Sequence, residues 1–425
     1  MRPRVLFALA ALVTAPRAAR ADVLLHDDGR WSVYTTGRAE AHYQLAQGDA
    51  DPHNLNNKLV GGQFQNTGQD QNNQILDSRI RSGFIGTQLG FGVTDRFTDT
   101  LQGKAFVSIW FNGIDSHKST PPQTKDVDAR EAWGALSGRG GEFLFGRAFS
   151  IFGSASGAVN AYAYEFAVGN PCVLDVSTIA CGSVGAGPLY AGYNAQLRYI
   201  SPRLGVFLFQ ASLEDPSSLP DYQITRYPRV EGELNVEVPV GANGRFIVVG
   251  QGLAQSLAKI NATQNGTVST TAWGAMGVAR FELGGLRVGG GAWTGAGIGT
   301  HTPFQQEDQG KPLAHDLPGG MDAAGNPLPG DQLRNFRGFF GNVAFDYHGT
   351  ALALGGGAAN VQETLSDALT PSTSLLRQNT EYHAVLTHRI YAVVLSAELM
   401  HWHSDWYRGE VQAINFYGAG SVFVW

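Results

Sequence analysis

Apolar and polar residues alternate along many short stretches of this chain, the period expected of strands with one greasy and one wet face. Between Trp31 and Leu45 the odd positions carry Trp31, Val33, Thr35, Gly37, Ala39, Ala41, Tyr43 and Leu45. The even positions carry Ser32, Tyr34, Thr36, Arg38, Glu40, His42 and Gln44. The segment 229–238 alternates more sharply, with Val230, Gly232, Leu234, Val236 and Val238 opposing Arg229, Glu231, Glu233, Asn235 and Glu237. In 101–112, Leu101, Gly103, Ala105, Val107, Ile109 and Phe111 share a face. Phe106 and Trp110 join Gln102, Lys104 and Ser108 on the other.

Sixteen segments of this kind follow one another: 31–46, 77–92, 98–113, 126–137, 142–149, 194–201, 204–214, 227–239, 245–256, 268–283, 286–299, 333–347, 350–362, 377–389, 391–403 and 411–425. Short connectors at 93–97, 137–141, 239–243, 283–285 and 348–349 alternate with long ones at 47–76, 150–193, 257–267 and 300–332. Tight turns at one end and long loops at the other are the layout of a membrane-spanning barrel. The pattern predicts an all-β fold, a transmembrane antiparallel β-barrel of sixteen strands. Such a barrel hides its membrane signal, because only alternate residues face lipid. The last segment ends in Val422-Phe423-Val424-Trp425, an aromatic terminus suited to a membrane interface. Phe416 and Val424 interrupt its alternation, which leaves room for a bulge.

Composition narrows the class further. The 425 residues include 55 glycines, roughly twice the average usage of about 7%. Only 16% are charged, which excludes a helix-rich or disordered chain. A net charge of −6 without a basic run excludes nucleic acid as partner. The first 21 residues stand apart: Arg2 and Arg4, the apolar run Val5 to Val13, and the small-residue signature Ala19-Arg20-Ala21. They read as a secretory signal peptide, 1–21, ahead of a single barrel domain, 22–425.

The segments resemble the general bacterial porins, the sixteen-stranded trimeric family. Tyr34-Thr35-Thr36-Gly37-Arg38 is similar to that family's first-strand segment, and Asp77-Ser78-Arg79-Ile80-Arg81-Ser82-Gly83-Phe84-Ile85-Gly86 to its second, with inserted residues. Arg130-Glu131-Ala132-Trp133-Gly134-Ala135-Leu136-Ser137-Gly138, followed by Phe145-Gly146-Arg147, resembles a further pair. Asn194-Ala195-Gln196-Leu197-Arg198-Tyr199-Ile200-Ser201-Pro202 and the terminal Trp425 complete the likeness. The resemblance implies a homotrimer in the outer membrane of a Gram-negative bacterium, among its lipid and lipopolysaccharide, passing small hydrophilic solutes. It also implies that loop 150–193 folds inward and narrows the pore. Carried over, the basic wall of that constriction is Arg38, Arg81 (or Arg79), Arg147 and Arg198, with Arg130 nearby. The acidic side is Glu165 with Asp175.

The residues support parts of this independently. An arginine on a barrel's lipid face costs about 2–4 kcal/mol at midplane, so Arg38 and Arg198, on the polar faces of their strands, belong inside. Opposed basic and acidic walls would order water and favour polar solutes. Cys172 and Cys181 share the long loop, and an oxidising compartment would let them pair as a disulfide that stiffens it. His401 and His403 share a strand face without a third ligand, so no metal site is expected there. Asp49 and Asp51 offer calcium a weak foothold in a loop. No cofactor is otherwise implied, and the motifs of nucleophilic, metal-hydrolase or nucleotide chemistry are absent, so an enzyme is not expected. The alternatives are a substrate-selective channel for sugars or anions, with Tyr34, Phe106 and Trp110 at lumen parity, and a structural or adhesive barrel.

Overall fold

The computed structural model describes residues 22–49, 74–111, 127–171, 180–217, 219, 222, 225–261, 266–304, 332–369 and 375–425. The proposed signal peptide, Asp51, Cys172 and Asp175 lie outside these.

The chain enters as a short strand, β1 (Val23–Asp27). It turns at Asp28, whose carboxylate accepts the Arg30 and Trp31 amides, over Gly29 in the left-handed region. The wall then begins with β2 (Trp31–Asp49), β3 (Gln74–Arg81), β4 (Thr87–Thr98), β5 (Leu101–Phe111), β6 (Val127–Gly138) and β7 (Gly141–Phe149). The long loop follows, with α1 (Ser154–Val159), α2 (Ala161–Phe166) and a small hairpin of β8 (Asn170–Pro171) and β9 (Ala180–Gly182). The wall resumes with β10 (Tyr193–Ile200), β11 (Phe207–Glu214), β12 (Arg229–Val240), β13 (Gly244–Asn261), β14 (Gly266–Leu283) and β15 (Leu286–Ala296). It ends with β16 (Asn335–Tyr347), β17 (Thr350–Val361), β18 (Leu376–Ile390), β19 (Val393–Trp406) and β20 (Val411–Val424), with α3 (Leu365–Leu369) between β17 and β18.

Each wall strand pairs antiparallel with its neighbours, and β20 pairs with β2, closing the sheet. Both β3 and β4 lie on β2, at 42–49 and 31–38 respectively, so they are two halves of one stave. Counting them together, the barrel has sixteen staves, one for each segment read from the alternation. The interruption at 82–86 is where the chain turns inward: the Gly83 amide donates to the Glu40 carboxylate, and the Phe84 amide to the Ala167 carbonyl of the long loop. The final strand has no bulge. Ile414, Phe416 and Val422 all face inward and are fully buried, while Tyr417 and Phe423 face outward. Trp425 exchanges both backbone hydrogen bonds with Gly37, and β1 continues along the same edge of β2.

The outward positions form an apolar belt, including Tyr43, Leu76, Ile80, Phe145, Leu197, Phe339 and Leu399. This is the lipid-facing surface a spanning barrel requires. The largest core lies inside the barrel. Phe152, Val159 and Leu189 of the long loop pack against Leu253, Met276, Trp293 and Phe340 of the wall.

Candidate functional site: the lumen and its inward loop

The long loop leaves the end of β7 and is captured at once. Glu231 accepts the backbone amides of Ile151 (2.8 Å) and Phe152 (2.7 Å), and Gln251 accepts that of Gly153 (3.0 Å). Its first helix lies on β14 and β15, and its second on β18 and β20. At the far side Glu398 accepts the amides of Val168 (2.8 Å) and Gly169 (2.9 Å). Buried carboxylates that take two backbone donors are strong anchors, because charge-assisted bonds shorten and strengthen. The return stretch, 183–192, is tied by Asn379 to the Gly185 carbonyl and by Trp293 to that of Gly187. Both passes therefore run along the inner face of β12–β20, and the loop's far end also reaches Arg38, Gln44 and Phe84.

Arg38 is buried, paired with Glu40, and donates to the Glu165 carbonyl of α2. Arg81 is buried beside Gln44, its Nη1 3.3 Å from the Gln44 Oε1. Arg79 shares that inward face, opposite Gln44 itself. Arg198 is held between Gln196, Gln210 and the Phe149 carbonyl. Beside it, Arg229 pairs with Glu214 and Glu231. Arg130 lies over the Trp110 ring (4.0 Å) and pairs with Asp128 at 2.8 Å.

Arg147 departs from the expected wall. It shares the outward parity of Phe143 and Phe145, is exposed, and its Nε donates to the Arg130 carbonyl at 3.1 Å. The likeness of Phe145-Gly146-Arg147 to the family segment carries the sequence but not the direction of the side chain.

Glu165 lines a cavity of about 80 Å³ beneath α2, with Tyr162, Arg287, Asp346 and Arg389. Tyr162 donates to Asp346 at 3.3 Å, and Arg287 lies over the Tyr162 ring at 5.4 Å. Among the described residues neither Arg287 nor Arg389 has an ion-pair partner. No motif marks these two arginines; only their inward parity on β15 and β18 could have signalled them.

The other candidate residues are placed as follows. Cys181 is buried against Phe84 and Val184, and no cysteine is free among the described residues. Asp49 is occupied, accepting from the Ala413 amide and from Gln74. His401 and His403 face outward, bonded to Asn415 and Asp405. Among the described residues no group of three metal-ligating side chains occurs.

A closed sixteen-stave barrel, apolar outside, with polar inward rows and a loop packed on its inner wall, defines a membrane-spanning channel protein of the outer-membrane type. A family model described as Gram-negative porin matches residues 8–302, and the chain belongs to that family, in the outer membrane. No curated protein matches it in sequence. Among solved structures it is similar to the outer membrane channel DcaP of Acinetobacter baumannii, at 15% identity and TM-score 0.65, covering 95% of this chain and 100% of that one. It is also similar to OmpF of Salmonella typhi in complex with daunomycin, at 10% identity and TM-score 0.55, covering 95% and 100%. The anion-selective porin from Comamonas acidovorans matches at 12% identity and TM-score 0.53, covering 93% and 100%. At these identities the likeness is one of fold.

Proposed function

We propose that the protein is a passive diffusion channel for small hydrophilic solutes and ions. The observation that carries this reading is the division of the lumen. The long loop is fixed to one half of the inner wall, leaving partly exposed polar positions such as Thr36, Gln88, Thr94, Gln102 and Lys104 along the other. Arg79 and Arg130, partly exposed, supply the basic side of the passage, and Arg38, Arg81 and Arg198 stand buried behind it and add to its field. Glu165 supplies an acidic group on the loop, facing Arg287 and Arg389. The chain acts by selecting what diffuses, not by catalysis.

The working unit is a homotrimer set in lipid and lipopolysaccharide, exported by removal of residues 1–21. Arg147 supports the trimer. An outward arginine in the wall costs about 2–4 kcal/mol against lipid at midplane, and a neighbouring copy would remove that cost. OmpT of Vibrio cholerae, a structure with the same fold, is described in a trimer form. A disulfide between Cys172 and Cys181 would brace the tip of the long loop; Cys172 is the only other cysteine in the chain.

Conductance of the refolded protein in a planar bilayer under a salt gradient tests the reading. Steps arriving in threes, with a reversal potential set by the exposed charges, are expected. Silence from a folded, heat-modifiable barrel would overturn the channel and leave a structural role.

A further inference from the structure

One row of paired residues crosses the wall opposite the loop without interruption. Tyr34 on β2 is in register with Gly92 on β4, Gly92 with Phe106 on β5, Phe106 with Trp133 on β6, and Trp133 with Gly146 on β7. All five positions face the lumen: three rings, two of them adjacent, with Gly92 between Tyr34 and Phe106 and Gly146 at the end. The Tyr34 and Phe106 centroids are 6.5 Å apart with planes only 20° apart, and Phe106 and Trp133 are 5.6 Å apart. The glycines explain the flatness. A Cβ on Gly92 would sit 2.0 Å from the Tyr34 ring, and one on Gly90 would sit 2.6 Å from Phe106. Tyr34 and Phe106 lie down on the sheet in the space these glycines leave, so their faces, not their edges, meet the passage, and Trp133 follows at a 36° tilt to Phe106. All three remain partly exposed.

Strands in a barrel tilt by about 35–45° to its axis, so a row perpendicular to them climbs the wall obliquely. The result is an inclined aromatic track. Hydrogen-bonding groups border it on both sides. On the side nearer the short turns, Lys104 pairs with Glu142 at 2.7 Å, and Ser137 donates to the same carboxylate. On the other side, Glu131 accepts from Ser108 at 3.1 Å and from the Trp133 indole at 3.4 Å. A core cluster would bury such rings. A lipid girdle would turn them outward. Tyr34 and Phe106, flat on the wet side of the wall and bordered by donors and acceptors, fit neither role; Trp133 rests one edge of the row on Ala135 and Leu144 while staying partly exposed.

We infer that Tyr34, Phe106 and Trp133 form a binding track for pyranose sugars, resting on the channel reading above. The C–H faces of a pyranose carry partial positive charge and stack on electron-rich ring faces. Its hydroxyls reach sideways to the bordering carboxylates, hydroxyl and ammonium. The track makes the channel prefer sugars to other solutes of equal size.

The test is block of ion current by maltose in a planar bilayer. Wild-type current should fall in a saturable way with maltose. Phe106→Ala and Trp133→Ala should weaken that block about tenfold each. Current in salt alone should persist in both variants, which keeps the channel reading separate from the sugar track. Trp133→Phe, which keeps a ring, should retain most of the block. A wild-type current indifferent to maltose would overturn the track, as would equal block in wild type and both alanine variants. Block by benzoate without block by maltose would overturn the sugar assignment in favour of aromatic solutes. Absence of current in salt alone would instead overturn the channel itself.

Discussion

Along β13–β19 the inward positions include Leu253, Met276, Trp293, Phe340 and Trp406, all buried. Along β2, β4 and β5 they include Tyr34, Gln88, Lys104 and Phe106, all partly exposed. The same backbone lattice thus supports a dry inner wall and a wet one. The difference comes from the long loop, which brings Phe152, Val159 and Leu189 to the first wall. Inward apolar residues are a liability in a water-filled tube and an asset under a packed loop. In the channel proposed above, the dry half would set the size of the passage, and both halves would contribute to its charge.

Substituting one ring in each half tests this comparison most strongly. Phe152→Ala should destabilise the folded barrel by about 3–5 kcal/mol, because a fully buried ring leaves a cavity. Phe106→Ala, on the wet wall, should change stability by no more than about 1 kcal/mol. The denaturant midpoint of the heat-modifiable band reads both, and equal losses would erase the distinction.

The anchors come next. Glu398→Gln keeps an acceptor but removes the charge that holds the Val168 and Gly169 amides, a loss of about 1–3 kcal/mol. The far side of the loop should loosen, and open-channel noise should rise. Noise at the wild-type level would place the hinge elsewhere. Ion selectivity should respond more gently. Replacing Arg287 and Arg389 together by alanine should move the reversal potential toward cations, and Glu165→Gln should move it toward anions. Arg198→Ala should move it less than the paired substitution, since Arg198 is buried beside the Glu214–Arg229–Glu231 network. A larger effect at Arg198 would shift the selective step to β10.

The smallest effect concerns the long-loop rim. Arg334 reaches across to α3 and holds Asp367 through two bonds, 2.9 and 2.7 Å, while Thr364 and Asp367 cap the helix reciprocally. Burial alone would raise the Asp367 carboxyl; the Arg334 guanidinium outweighs it and holds the group below its ordinary value. A depressed folded value means the contribution is complete above the unfolded value near pH 4 and fades as pH falls through the folded one. Proteolysis at this rim should therefore accelerate in acid. In Asp367→Asn the acceleration should be present already at neutral pH, and a flat pH profile in wild type would remove the pair from the rim's stability.

The staves were legible in the sequence because lipid enforces a strict outward period. Val230 to Val238 and Leu101 to Phe111 could hardly be read otherwise. Inward positions follow no such rule. Phe416 looked like a break in the pattern, yet it is a regular inward residue covered by the loop. Arg147 looked like a lumen residue because its neighbours match a family segment, yet counting parity from Phe143 would have turned it outward. The split of the second stave at 82–86, the two loop helices and the strand at Val23–Asp27 left no periodic trace, being too short to show one. Arg287 and Arg389 stood in no motif, and only the folded position of α2 brings Glu165 to them.

The pairing of β2 with β20 has a kinetic meaning. It joins residues separated by most of the chain, so it carries the highest loop-closure entropy of any contact in the wall. Every other stave can zip onto its predecessor through a local turn or loop. This seam must wait for the last strand to arrive, which makes it the natural slow step of assembly. Until then β2 offers an unpaired edge, the feature that invites strands of other chains. The hairpin of β1 onto β2 keeps part of that edge satisfied from the start. It leaves only the stretch from Gly37 onward to be closed by the chain's own end.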